Sequence, residues 1–465
     1  MIIRKSLLFF LLFSMSITTQ AQSELGTHLM RGLWQANQTN PALLPGHMIN
    51  IGVGGTYNNL QISNLTFNDV ISERTDGTNV IDIDKAIALM EDNNFIRESS
   101  QIETLSLGLA FGRLNIFAGH QLRFNAFINY PKTLPQLAWN GNAQFIGQEV
   151  NFAPDVQLFA YNEFAVGAAY EVNEMITIGG KLKYLSGVED VSSEGNRLNL
   201  LTDETTYQLS LNADYRVNSS GTLTYNGFDD LDFNFESGKF DASQLFSSNA
   251  GFAFDIGAHL NFGRLDVAIS ALDIGSINWE EDVNNYTLSG NYEYLGLDIV
   301  QDILDDTTTI GSVVDSLRAA YDVRETNEKY TTILPTRFYL SSTYLLNNRV
   351  SLGGVLYGER YRDEFFLSFG VGADIFITDW LRAGALYAVR DDSYTNIGIN
   401  AALNMGPIQL MAATDNILAA FQPKDSKSAN VRIGLNFVFR PKSKEIRNID
   451  DISDQDRFFN NKPKF

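Results

Sequence analysis

Between Leu114 and Tyr130 the chain alternates apolar with polar residues. Leu114, Ile116, Ala118, Leu122, Phe124, Ala126 and Ile128 hold even positions; Asn115, Gln121, Arg123, Asn125 and Asn129 hold odd ones, with Phe117 and Phe127 as exceptions and His120 on the apolar face. A period of two marks a β-strand with one apolar and one polar face. Seventeen residues of it exceed the ~5–6 residues of strands in soluble domains. The pattern returns at Tyr207–Arg216, Phe252–Phe262 and Val431–Phe439. Strands of ~9–11 residues with alternating lipid-facing and lumen-facing side chains are what a bilayer-spanning barrel requires.

The connections support the same reading. Short links at Gly112-Arg113, Glu171–Glu174, Gly263-Arg264, Asn347-Asn348, Thr378–Trp380 and Gly406-Pro407 alternate with long ones at Asn58–Gln101, Pro131–Leu158, Gly187–Glu204, Ile274–Pro335 and Asn416–Ser428. Outer-membrane barrels have short periplasmic turns and longer extracellular loops. The expectation is an all-β, antiparallel outer-membrane barrel over residues 50–440, with both termini periplasmic. It has 14 strands if Glu204–Val217 and Thr222–Phe235 form a hairpin above the membrane and 16 if both cross; Asn226-Gly227-Phe228 breaks the second segment and favours 14.

The ends have different characters. Residues 1–21 read as a secretory signal, with Arg4 and Lys5 before the apolar run Ser6–Ile17 and small residues at Thr19-Gln20-Ala21. Residues 22–49 form an N-terminal plug or arm, with a helix expected around Leu25–Gln35 despite Gly26 and Gly32, and a stop at Asn40-Pro41. Residues 441–465 form a polar periplasmic tail, either disordered or a docking peptide anchored by Phe458 and Phe459. Beyond Gln22 no apolar run approaches the ~18 residues of a spanning helix.

Asn40-Pro41-Ala42-Leu43-Leu44 resembles the opening of fatty-acid-transporter-like and PorP/SprF-like barrels of Bacteroidota. Further phrases strengthen the likeness: Ile81–Met90 (IDIDKAIALM), Trp139-Asn140-Gly141-Asn142, Ile178–Gly187 (IGGKLKYLSG) and Ile269–Trp279 (ISALDIGSINW). Over roughly Leu33–Gln422 the chain resembles an uncharacterised Bacteroidota outer-membrane family of unknown function, related to the PorP/SprF-like group. The resemblance implies a barrel and supplies no site to carry over. PorP/SprF-like barrels take part in type IX secretion and gliding, an analogy of fold.

Composition narrows the chemistry. With 55 acidic against 34 basic residues the net charge is −21, which excludes a nucleic-acid partner, since that needs a basic stripe. The absence of cysteine excludes disulfides, thiol catalysis and thiolate zinc sites. Inward positions on the alternating segments include Asp214, Arg216, Asp266 and Asp415, and above all a predicted lumen network of Arg123, Lys181, Lys183, Asp255, His259, Arg337, Asp374 and Arg382. Mixed signs favour paired side chains, because an unpaired buried charge is costly; a tunnel for lipids would want apolar walls. Asn40, Pro41 and Ala42 form the plug motif.

Three further features bear on function. Asp82–Phe95 has apolar residues at helical spacing (Ile83, Ala86, Ile87, Met90) and suits a lid or partner-binding helix in the first long loop. Asp230, Asp232, Asn234, Glu236 and Asp241 approach a calcium-loop spacing, but Phe235 stands where that loop needs glycine, so an acidic loop is expected and no metal or cofactor. His259 has Asp255 four residues back, ~13 Å away in a strand, which makes no catalytic dyad. No nucleophile or phosphate-binding motif occurs. The expected function is therefore non-enzymatic: an accessory or structural part of a multi-protein envelope machine (type IX secretion, gliding or outer-membrane protein assembly), contacting lipid, outer-membrane proteins and lipoproteins. The alternative is a passage for small or hydrophobic solutes.

Overall fold

The computed structural model describes residues 24–63, 65–73, 79–221, 223–225, 231–233, 245–294, 323–362, 364–390 and 393–441. The signal sequence, the tail beyond residue 441 and the calcium-spaced side chains between Asp230 and Asp241 lie outside the described residues. Fourteen strands close a barrel in chain order: β1 (His47–Ile62), β2 (Asn93–Phe111), β3 (Leu114–Pro131), β4 (Asp155–Glu171), β5 (Ile176–Thr202), β6 (Ala250–Phe262), β7 (Leu265–Trp279), β8 (Thr336–Asn347), β9 (Val350–Tyr361), β10 (Glu364–Phe376), β11 (Leu381–Arg390), β12 (Ser393–Met405), β13 (Ile408–Thr414) and β14 (Ser428–Pro441). Every neighbouring pair is antiparallel, and β14 returns to β1, from His47 opposite Pro441 to Gln61 opposite Ser428. Closure removes the sheet edges that lipid could not satisfy.

The dyad pattern becomes two surfaces. Ile178, Leu182, Phe252, Ile256 and Ile269 point outward and are about half exposed or more, as a lipid-facing belt must be. Asn115, Arg123, Asn125, Lys183 and Asp255 point inward and are buried. The two exceptions on β3 also face in: the Phe127 ring stacks on Tyr361 at 4.0 Å, and Phe117 meets the edge of Trp34 at 6.4 Å. No helix among the described residues is long and apolar enough to cross a membrane.

One of the expected long loops, Gly187–Glu204, is largely strand. β5 runs unbroken through Gly187–Thr202. Gly187 reads as a turn signal, yet it marks a close approach: a Cβ there would lie 2.5 Å from the Trp279 ring. Gly195, with φ +80°, sits at a bulge between Glu194 and Arg197. Past Asp190 this strand pairs with Leu209–Ser220, which pairs with Val283–Tyr294, forming a sheet that stands beyond the barrel. The segments expected to make a hairpin thus stay off the barrel but take other partners, and Leu223–Tyr225 pairs with Leu231–Phe233. Asp214 and Arg216 therefore leave the lumen set. Asp214 pairs with Arg197 at 3.3 Å and Arg216 with Glu328 at 3.1 Å, mostly in exposed positions. Alternation reports that a face is polar but not which space it borders.

The N-terminal segment holds a shorter helix than expected, α1 (Glu24–Leu29), followed by a single 3-10 turn at Trp34–Gln38. Gly32, at φ +80°, separates them. In the first long loop the helix is α2 (Ile83–Leu89), capped by Asp82, whose carboxylate accepts the Lys85 N–H, and it buries Ala86 and Ile87. Asn93 onward already belongs to β2. A third helix, α3 (Thr133–Asn140), carries an exposed Trp139. We expect Leu182→Arg, in the middle of the outward face, to cost ~2–4 kcal/mol, read as a lower urea midpoint in lipid vesicles. Trp139→Arg should leave that midpoint unchanged.

Candidate functional site

The functional chemistry of the lumen is built around one irregularity in β7. Opposite Asp255 the strand carries two residues, Leu272 and Asp273, where one would pair, and Asp273 adopts φ +59°. This is a β-bulge, and it reverses the parity of the strand. Before it Asp266, Ala268, Ser270 and Leu272 are buried; after it Asp273, Ile277 and Trp279 are. The Asp255 carboxylate accepts the Asp273 N–H at 2.8 Å, holding the bulge.

Six charges meet there. The Asp273 carboxylate lies 3.0 Å from Arg123 and 2.5 Å from both Lys183 and Arg337. Glu163 lies 3.0 Å from Arg123 and 3.6 Å from Lys183, and Asp255 lies 2.8 Å from Lys183. All six side chains are at most 8% exposed. Three cations on β3, β5 and β8 thus face three carboxylates on β4, β6 and β7. Equal numbers of opposite charges in mutual contact are the arrangement that makes burial of so much charge tolerable.

Below this partition the segment 24–46 fills the lumen. Its apolar side chains pack on several sides: Leu25 and Leu29 with Leu272, Tyr339 and Leu386; Met30 and Leu33 with Ala402 and Met411; Trp34 with Phe117 and Ala169; Leu43 with Ala268. Polar contacts bolt it to the wall in every direction. The Asp415 carboxylate accepts the N–H groups of Leu25 and Gly26 at 3.3 and 2.9 Å. Gln35 and Asn436 exchange amide hydrogen bonds at 2.8 and 2.9 Å. Trp34 Nε1 donates to Ser106 at 2.6 Å, and Gln38 donates to Glu103 at 2.6 Å. Asn40 donates to the carbonyls of Ala258 and Ile269 at 3.2 and 3.0 Å, bridging β6 and β7, while its own oxygen accepts the Ala42 N–H at 2.8 Å across Pro41. Gly257 makes this possible, since a Cβ there would lie 2.0 Å from the Asn40 side-chain oxygen.

The eight residues of the predicted network divide into three groups. Arg123, Lys183, Asp255 and Arg337 join the partition. Lys181 does not; its Nζ donates to the Asn37 carbonyl at 2.7 Å. The remaining three also hold the segment. Arg382 lies 3.4 Å from Asp374 and donates to the Arg31 carbonyl at 2.5 Å. His259 meets Asp266 across the β6–β7 turn at 2.7 Å rather than Asp255 on its own strand, and Asp266 lies 3.3 Å from Arg31. Sequence reasoning passed over Glu163 and Asp273. Glu163 shares its parity with Gln157 and Tyr161 on β4, which is a usable signal; Asp273 falls out of register with its strand and gives none.

Two recesses flank the partition. One, on the side of the long loops, encloses about 40 Å³ within about 740 Å³ counting its mouth, and Arg123, Asp273 and Arg337 form its floor. The other encloses about 60 Å³ and is bounded by Glu163, Lys183, Asp255 and Arg337, with Trp34 and Gln38 of the N-terminal segment closing it. Gln101 and Arg337 line both.

Two predictions follow from this geometry. Asp273→Asn keeps the shape and tolerates a positive φ but removes the carboxylate shared by three cations. It should cost ~3–5 kcal/mol, measured as the urea midpoint in vesicles. The second concerns His28, wholly buried in the segment, stacked on Tyr339 at 4.7 Å and hydrogen-bonded to Thr39 and Ser341 at 2.8 Å. Burial, then the Arg31 guanidinium, holds its pKa well below the usual value, against the opposing pull of Asp266. A released His28 titrates near ~6.5, so below that pH the undocked segment takes up a proton the docked one refuses. Docking should weaken by up to ~tenfold per unit below ~6.5 and stay constant above it. Hydrogen exchange of residues 24–46 at pH 7.5 and 5.5, corrected for intrinsic rates, checks this, and His28→Asn should flatten the response.

Solved barrels of similar shape include the Ralstonia pickettii toluene transporter TbuX (10% identity, 89% of this chain and 98% of that one, TM-score 0.42). A Pseudomonas aeruginosa FadL homologue aligns similarly (10% identity, 90% and 97%, TM-score 0.43), as does the Pseudomonas putida toluene transporter TodX (8%, 86% and 93%, TM-score 0.40). No curated protein matches the chain by sequence. A family profile does match, over residues 41–415, from the Pro-Ala of the plug motif through β13. The chain belongs to that family, DUF5723, described as a family of unknown function.

Proposed function

We propose that this protein is a non-enzymatic outer-membrane passage for small solutes, gated by its own N-terminal segment, with the short turns and both termini in the periplasm. One observation carries the reading: recesses lie on opposite sides of a single charged partition and share Gln101 and Arg337 as common wall. A route therefore exists in outline, interrupted by one layer of ion pairs and by a segment joined covalently to the barrel only where it enters β1. A lumen meant only to be filled could be closed by strand side chains alone. Polar walls suit hydrophilic solutes better than lipids.

The component reading, an accessory part of a secretion, gliding or assembly machine with protein and lipoprotein partners, keeps one supporting feature. The sheet of β5, Leu209–Ser220 and Val283–Tyr294 stands beyond the barrel and offers a surface that a passage does not require. Gentle detergent extraction with mass spectrometry separates the two, since stable partners on a non-conducting barrel would favour the component. For the passage, deletion of Gln22–Met48 should raise single-channel conductance, as expected when a barrel of this class loses its filling, with the strand-borne ion pairs as the remaining constriction. Unchanged conductance would overturn the gate.

A further inference from the structure

Three tiers of inward side chains cross β1, β2 and β3 beside the recess on the long-loop side. The middle tier is Asn59, Ser99 and Asn125, directly opposite one another in the sheet. The tier below it holds Tyr57, Gln101 and Arg123, continuing to Tyr161 on β4. The tier above holds Gln61, Arg97 and Phe127. All of these line the recess.

The middle tier is incompletely satisfied. Ser99 donates to the Asn125 side-chain oxygen at 2.8 Å, yet Asn125 Nδ2 and Asn59 Oδ1 are buried without a hydrogen-bond partner, as are Nε of Arg97 and of Arg123. Asn125 itself is only 4% exposed. Buried polar groups are satisfied in nearly all native structures, so a donor and an acceptor left open on one wall call for a ligand or ordered water. The charge of the recess, by contrast, is already balanced. Arg97 is paired with Glu359, and Arg123 and Arg337 with Asp273. An anionic solute would have to compete with those carboxylates, and a purely apolar one would leave the amides open.

We propose that the recess binds a neutral polyhydroxylated molecule, a sugar, as the solute class of the proposed passage. A hydroxyl group both donates and accepts, which is what the open Asn59 oxygen and Asn125 amide require. The enclosed part of the recess, about 40 Å³, is too small for a whole ring, so the sugar sits in the wider mouth and lays one edge of hydroxyls along the middle tier, which spans ~10 Å, two strand spacings; Tyr57 and Tyr161 supply aromatic walls on the tier beneath. The inference rests on the passage reading for its biological sense, but its test is binding to the intact, plugged protein, so either can fail without the other.

The experiment is calorimetric titration of the full-length protein in lipid nanodiscs with glucose and maltose, and separately with benzoate and toluene. The sugars should bind saturably, and Asn59→Leu and Asn125→Leu should each weaken binding roughly tenfold for the lost hydrogen bond, with the barrel's heat-modifiable gel migration unchanged. If Asn125→Leu fails to fold, the half-buried Asn59 decides the matter. Absence of sugar binding at about 100 mM, the weak limit for a specific site, would overturn the proposal. So would sugar binding indifferent to both substitutions, or tighter binding of benzoate or toluene.

Discussion

Lipid offers the backbone no hydrogen bonds, and the structure follows from that deficit. A strand in a bilayer must give every amide to a neighbour, so the sheet has to close on itself. Here β14 meets β1 over nearly its whole length. Closure creates an interior that the same strands must fill, and the dyad period fills it with whatever occupies the alternate positions. In this chain those are charges, amides and hydroxyls, which then need partners of their own. The six-charge partition answers the second deficit as the ring of strands answers the first.

The barrel was legible because it is written in periodicity. Seventeen residues of alternation on β3 and the regular succession of short turns specify a membrane cylinder and leave 14 or 16 crossings, with 14 favoured, and the structure has 14. The lumen was less legible. Arg123, Lys183, Asp255 and Arg337 could be named from parity alone, but Asp273 sits at a bulge, and a single extra residue erases parity. Glycine misled in the other direction. Gly187 and Gly195 look like loop punctuation, yet one makes room for an indole and the other sits in a bulge, so β5 continues where a loop was expected. Cross-strand partners were also hidden: His259 finds Asp266 through a hairpin, a neighbour that spacing along one strand does not reveal.

The N-terminal segment is held in an instructive manner. Its apolar clusters are small and separate, and its directional contacts are of two kinds: Asp415, Lys181 and Arg382 bind its main-chain groups, while His28, Arg31, Trp34, Gln35 and Gln38 reach the wall with their side chains. The first kind requires only a path of backbone, the second requires particular side chains. Asn40 does both at once, because its side chain reaches carbonyls on two strands and also its own chain.

The placement of that segment also joins the two ends of the sequence. Leu25 and Leu29 lean on strands from the latter half of the chain, and Gln35 is clasped by Asn436 on the strand that makes the final seam. The first residues to emerge therefore find their partners among the last. The leading end and the closing seam hold one another: Gln35 binds the same strand that pairs with β1. Loss of the segment is thus felt at the seam itself, where the Asn436 amide would be left with Gln409 as its remaining side-chain partner.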